Sequence, residues 1–281
     1  MTILSLVYQI TPPALWTLLK KGYFLLFPNK GKNQPLVKGW FWCPVCKKKV
    51  IRFNPLPIHY NIMSEKYPSV HPAFMGEMMN YHAYSCPHCG ATDRNRLYAM
   101  FFSSYFDKLK TEKKNIRFLD IAPNQNLTNF IKSYDFIQYR SVDLYMESAD
   151  DKADITDLHI YDNESFDMLL CSHVLEHVPN DRKAIAELFR VLTKDGLGII
   201  MVPINLGLSE DFEDSTKTSV EDRWKYFGQD DHVRTYSKQG FISKLEQCGF
   251  KVNQYGIDHF GMAEFERCGI HPRSVLYVVT K

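Results

Sequence analysis

The sequence predicts an α/β fold: a mainly parallel sheet that closes on a terminal hairpin, preceded by a small cysteine-bearing module. Three observations carry this. From Arg117 onward, apolar runs of strand length alternate with helical patterns, the order expected of parallel strands joined by helices. The chain then finishes on two strand-like runs, KVNQYG and SVLYVVTK, after a last helix. Two C-x-x-C pairs, FWCPVC and SCPHCG, lie ahead of all of this, within residues 38–92.

The totals set outer limits. A chain of 281 residues that is 45% apolar and 14% aromatic can bury a full core, with length for one large domain and something smaller. A formal charge of +2 gives no global case for a nucleic-acid partner, which usually demands a concentrated basic face. Seven cysteines, four of them in the two pairs, fit metal ligation in a reducing compartment, so the expected location is cytoplasmic.

Residues 1–30 read as an apolar helix, Thr11 capping it and Pro12 at its first position. Pro12, Pro13, Lys20 and Lys21 interrupt it short of the ~18 to 20 apolar residues of a spanning helix. It also lacks the basic start and cleavage site of a secretory signal. Trp16, Phe24, Leu25, Leu26 and Phe27 give it greasy surface, which predicts packing on the protein's own body. The alternative is peripheral contact through residues 11–27 with the inner face of the membrane.

In the module, Cys43, Cys46, Cys86 and Cys89 form two knuckles able to give zinc four thiolates in a tetrahedron. Residues 47–85 intervene, a long insertion for a zinc-ribbon-like unit, and its His59, His71 and His82 read as loop or core residues. Such a site is closed, which assigns the ion a structural role; the alternative is free thiols or disulfides. Residues 93–114 follow as a connecting helix, where Leu97, Phe101, Tyr105 and Leu109 recur every four residues and predict a buried face against the large domain.

The large domain spans residues 115–281. RFLDIA, YRSVDLY, SFDMLLCSHVL and GIIMVPI are its strands, with a short helix around LTNFIKSY. Asn180 caps a helix with the stripe Ala184, Ile185, Leu188, Val191 and Leu192, ended by Gly196. Ser237 caps another, carrying Phe241, Ile242, Leu245 and Cys248, ended by Gly249. Residues 207–229 read as a solvated loop or a lid, and Trp224, Tyr226 and Phe227 with Asp230, Asp231 and Arg234 would suit a sugar.

FLDIAPNQNL has the form of the first strand and turn of a nucleotide-binding fold, yet its turn holds no glycine. Asp143 follows Asp120 at the spacing where a carboxylate takes both hydroxyls of a ribose, and Asp154 adds a third acid. Three acids at strand ends would repel a diphosphate. They suit a cofactor with a ribose, an amino group and a positive centre.

On FDMLLCSHVLEHVPNDRKAIAELFRVLTKDG and DDHVRTYSKQGFISKLEQCGF, residues 115–281 resemble the class I S-adenosylmethionine-dependent methyltransferases, of type 11. The resemblance implies a Rossmann-like, seven-stranded sheet and S-adenosyl-L-methionine as cofactor. It places Asp120, Ile121, Ala122 and Pro123 at the methionine part, Asp143 at the ribose, and Asp154 with Ile155 at the adenine. Cys171, Ser172 and His173 match the strand end that borders the cofactor and the substrate mouth. The family usually carries glycines where Ala122, Asn124 and Asn126 stand; asparagine tolerates left-handed backbone, so the turn is still expected to bind. The zinc module, the RNRL after it and the Pro-Pro leader are similar to methyltransferases found with bacterial surface-polysaccharide biosynthesis. That similarity implies a small-molecule or glycan-precursor acceptor. Methylation is expected at oxygen, where a base helps, and His173 and His177, which flank Glu176, and His232 are the candidate bases. Some related small-molecule O-methyltransferases use a comparable Glu-His segment for a divalent metal. Two alternatives remain: an RNA methyltransferase that meets phosphates through Lys47, Lys48, Lys49, Arg94 and Arg96, and a non-catalytic interaction protein whose methyltransferase domain is vestigial.

Overall fold

A hairpin of β1 (Phe41–Cys43) and β2 (Lys48–Val50) opens the described part of the chain, with the first cysteine knuckle as its turn. The computed structural model describes residues 40–71, 75–112 and 115–281. The apolar leader, with its expected helix and membrane contact at residues 11–27, lies outside them. Among the described residues, no helix is long and apolar enough to cross a membrane.

Helix α1 (Ile58–Lys66) lies in the insertion, and the second knuckle leads into α2 (Asp93–Thr111) through a capping box between Thr92 and Asn95. Leu97, Phe101, Phe102, Phe106 and Leu109 of α2 are buried. Next come β3 (Ile116–Ile121), α3 (Gln125–Lys132), β4 (Ile137–Asp143), β5 (Asp151–Lys152) and β6 (Phe166–Ser172). β3 and β6 are apolar almost throughout because both faces of the sheet are covered.

Helix α4 (Asp181–Val191) is capped by Asn180, whose Oδ1 accepts from the Lys183 amide at 3.0 Å. Its end differs from expectation. Strand β7 (Leu192–Met201) begins at once, so Gly196 lies inside a strand and does not terminate the helix. Leu192 pairs with Phe166, and the register shifts before Leu197 meets Met168. A Cβ at Gly196 would come within 2.7 Å of the buried Leu192 side chain, which gives the glycine its reason.

Residues 207–229 are also more structured than a solvated loop. They hold β8 (Phe212–Glu213), which pairs with β9 (Arg234–Thr235), and α5 (Val220–Phe227), capped by Ser219. After α6 (Lys238–Gln247), β10 (Lys251–Tyr255) and β11 (Leu276–Thr280) pair antiparallel, with α7 (Ile257–Phe260) and α8 (Met262–Cys268) between them.

The seven strands run in the order β10-β11-β7-β6-β3-β4-β5, and the pairings make only β11 antiparallel to the rest. This is the Rossmann-like sheet with a terminal hairpin. Trp40–Lys281 form one compact unit. α8 packs on β1, and at Gly269, φ +64°, a Cβ would meet Phe53 at 2.6 Å. The insertion is tied down by Glu77, almost fully buried, which accepts from Tyr277 Oη at 2.8 Å and Lys238 Nζ at 3.0 Å.

Candidate active site

A cavity of about 760 Å³ opens at the C-terminal ends of β3, β4 and β6. The chain goes one way from β3 to β4 and β5, then crosses back to β6, and the crevice left at such a reversal is where open α/β sheets take ligands. Ile121, Ala122, Asp143, Asp154, Ile155 and His173 line it. Asp120, Pro123, Cys171 and Ser172 do not. Cys171 is wholly buried, and the Ser172 hydroxyl lies 2.8 Å from Tyr98 Oη on α2.

The carboxylates on the wall are held by backbone. Asp143 Oδ1 accepts from the amides of Tyr145 and Met146, each at 2.7 Å, and Asp154 Oδ1 accepts from the Thr156 amide at 2.8 Å. The turn between them and β3 takes the left-handed conformation at Ala122, φ +53°, with its amide donating to the Val142 carbonyl at 2.9 Å. Asparagine is therefore not the residue that supplies this conformation. Asn124 is extended, φ −100°, and caps α3 by accepting from the Asn126 amide. A left-handed alanine costs about 1–2 kcal/mol, the kind of local strain that concentrates at ligand sites.

Asp120 is buried behind this turn and accepts from Tyr139 Oη at 2.7 Å, with Thr128 Oγ1 2.9 Å further along. Burial pushes its carboxyl up to about 7, against the lowering effect of the Tyr139 hydrogen bond. The folded state thus keeps a proton that the unfolded chain gives up near 3.8, so this group's contribution to stability falls as pH rises from 3.8 to about 7. Asp120→Asn, which retains an acceptor for Tyr139, should gain on wild type by ~2 kcal/mol between about pH 5 and pH 7. Urea unfolding of both proteins across that range checks it; a pH-independent difference would refute the assignment.

Beyond β6 the chain turns sharply at His173, φ +58°, into a 3-10 turn, Leu175–His177. Burial, helped by the charge of Arg94, lowers His173 to about 4, although Glu176 stands 3.2 Å away. It is neutral near pH 7 and a weak proton acceptor. Burial also lowers His232. A second cavity, about 220 Å³, is lined by His173, Glu176, His177 and His232 together with Arg94 and, from the insertion, Tyr60. His173 and His177 belong to both cavities.

Several expectations fail on burial. Arg96 is fully buried and cannot meet an RNA phosphate. Trp224, Phe227 and Arg234 are buried as well, so they offer no platform for a sugar. Arg234 instead donates to the carbonyls of Leu175, Val178 and Pro179 and pairs with Glu213, bracing the turn that carries Glu176 and His177. Sequence reasoning missed the second cavity, because residues 47–85 read only as zinc-module insertion. Its signal is the run MGEMMNYHAY, apolar and aromatic side chains in a stretch with no strand or helix period.

The four knuckle cysteines converge. Cys43 Sγ lies 3.8 Å from Cys89 Sγ, Cys46 Sγ lies 3.9 Å from Cys86 Sγ, and all four sulfurs fall within 4.8 Å of one another, unbridged. A tetrahedron with metal–sulfur bonds of about 2.3 Å has edges of about 3.8 Å, so the set fits zinc. Positive φ follows each knuckle, at Gly90 (+74°) and at Lys47 (+54°).

Residues 108–200 match the family model for a methyltransferase domain. Among solved structures the chain is similar to a SAM-dependent methyltransferase from Archaeoglobus fulgidus, at 14% identity over 66% of this chain and 94% of that one, TM-score 0.43. It is also similar to an S-adenosylmethionine-dependent methyltransferase from Mesorhizobium loti, at 13% identity over 60% and 92%, TM-score 0.42. The cyclase SpnF is similar at 13% identity over 63% and 79%, TM-score 0.40. Likeness this loose carries no functional weight. No match was found among curated proteins.

Proposed function

We propose that this chain, an S-adenosylmethionine-dependent methyltransferase by the domain it carries, methylates an oxygen of a small molecule or glycan precursor. The observation that supports this most is the line of Ala122, Asp143, Asp154 with Ile155, and His173 around one cavity at adjacent strand ends. Asp143, fixed by two amides, would take the ribose hydroxyls; Asp154 and Ile155 would flank the base; the Ala122 turn would meet the methionine part. The cofactor, when bound, supplies a methyl group on a sulfonium centre.

The chain's own contribution is alignment. Holding an acceptor in line behind the methyl group supplies much of the acceleration such a transfer needs. The second cavity, which shares His173 and His177 with the first, suits that acceptor, and Arg94 in its wall favours one with an anionic group. The four cysteines hold a structural zinc ion that takes no part in the chemistry.

Calorimetric titration of S-adenosylmethionine and S-adenosylhomocysteine tests the reading. Wild type should bind at micromolar order, and Asp143→Ala should lose at least ~1.4 kcal/mol, or tenfold. No heat with folded, zinc-loaded wild type would favour a non-catalytic interaction protein.

A further inference from the structure

We propose that the insertion of the zinc module, through Tyr60 and residues 75–84, forms with Arg94 the recognition wall of the second cavity, and that this wall takes a sugar ring bearing a carboxylate or a phosphate. That the sugar is the methyl acceptor rests on the methyltransferase reading; its binding does not. At about 220 Å³ the cavity is smaller than the ~300–1,000 Å³ of pockets for drug-sized ligands, so it suits a single ring.

The wall is built into the fold. Gly76 bridges Asn205 just beyond β7, where the Glu77 amide donates to the Ile204 carbonyl and the Leu206 amide to the Met75 carbonyl, each at 2.9 Å. At the other end, the Asp93 amide donates to the Tyr84 carbonyl at 2.8 Å, and Asn80 Nδ2 to the Gly269 carbonyl at 3.1 Å. Between these ties Met79 takes φ +153°, backbone that a side chain rarely adopts and that concentrates at ligand sites. Met78, Met79 and Tyr84 line the cavity from this strap, and Tyr60 lines it from the first turn of α1.

Arg94 supplies the preference for an anion. It is half-buried, and its guanidinium makes no hydrogen bond or ion pair with another side chain among the described residues. The two acids of the cavity leave it so. Asp93 turns both oxygens to backbone amides, Oδ1 to that of Arg94 and Oδ2 to that of Asn80. The Glu176 oxygens are sealed from solvent and have no hydrogen-bond partner. A guanidinium held in this way lacks a counter-ion, and its fork matches a carboxylate or a phosphate through two parallel hydrogen bonds.

The rest of the wall suits a ring with an apolar face and hydroxyls at its rim. Tyr60, Met78, Met79 and Tyr84 are half-buried and combine carbon surface with two phenol hydroxyls. Gln229 offers a donor and an acceptor; His232 Nδ1 lies 3.1 Å from the Phe227 carbonyl and so carries the proton, which keeps Nε2 an acceptor. The platform that buried Trp224 and Phe227 cannot give comes from the insertion instead. His173 and His177 line both cavities, which puts a bound ring beside the cofactor site.

Calorimetric titration of D-glucuronate, D-galacturonate, D-glucose 6-phosphate and methyl D-glucoside into the zinc-loaded full-length protein tests the wall, with and without S-adenosylhomocysteine. An anionic sugar should bind about tenfold or more tightly than the neutral glucoside, and uronate against phosphate identifies the anion. Arg94→Met should bring that sugar down to the level of the glucoside, and Tyr60→Ala should weaken it several-fold, both in protein with wild-type zinc content and circular dichroism. No sugar bound, equal binding of the glucoside, or an unchanged preference in Arg94→Met would overturn the proposal. So would inorganic phosphate that binds as tightly as the sugar phosphate. S-adenosylhomocysteine binding measured on the same samples separates the two readings: sugar without cofactor sinks only the methyltransferase, cofactor without sugar only this wall.

Discussion

Removing zinc from the four-cysteine cluster should abolish cooperative folding of the module and lower the melting temperature of the whole described unit. The expected size follows from two scales. Structural zinc binding is worth about 10–16 kcal/mol in apparent free energy, whereas a domain's entire stability is about 5–15 kcal/mol. The module's regular structure is slight: β1 and β2 are three residues each, and α1 buries none of its side chains. The effect should spread, because α8 packs on β1 and the insertion reaches Lys238 and Tyr277 through Glu77. Chelation followed by circular dichroism and melting would check this, with Cys86→Ser as the genetic counterpart. Zinc should restore the transition and magnesium should not. An unchanged melt in protein shown to be metal-free would refute a structural role for the ion.

The two best-predicted features share one property, local periodicity or local chemistry. The sheet was legible because apolar residues dominate β3 and β6 at strand length, and the helices because Asn180 and Ser237 sit where caps belong. The cysteine set was legible from two-residue spacers alone. What stayed hidden depends on distant neighbours. Nothing local says that α4 stops at Val191; the pairing of Leu192 with Phe166 decides it. Nothing in RNRL separates Arg94, which lines a cavity, from Arg96, which is sealed in the core. His173 and His177 stand out in the sequence as titratable groups beside a strand end, but the orphaned carboxylate of Glu176 between them appears only once burial is known.

Arg96→Met should destabilise the protein by about 3–5 kcal/mol, the range for removing one member of a buried, charge-assisted network. The guanidinium is wholly buried and gives every donor to backbone: Nε to the Cys268 carbonyl at 2.7 Å, Nη1 to those of Ala91 and Tyr84, Nη2 to those of Ala83 and Gly269. It also lies 3.9 Å from the centre of the Phe53 ring. One side chain thereby ties α2 to the second knuckle and to the end of α8. Methionine approximates the length but leaves these carbonyls unpaired, and it removes a cation from the neighbourhood of the buried Asp93. Lysine keeps the charge without the planar fork, so Arg96→Lys should recover less than half of the loss. Arg94→Met, two residues away on a cavity wall, should stay within about 1 kcal/mol of wild type. Urea unfolding of the zinc-loaded proteins reads all three, with zinc content measured alongside. An Arg96→Met variant as stable as Arg94→Met would mean that the carbonyls find other donors, and that the module is held to the sheet by apolar packing instead.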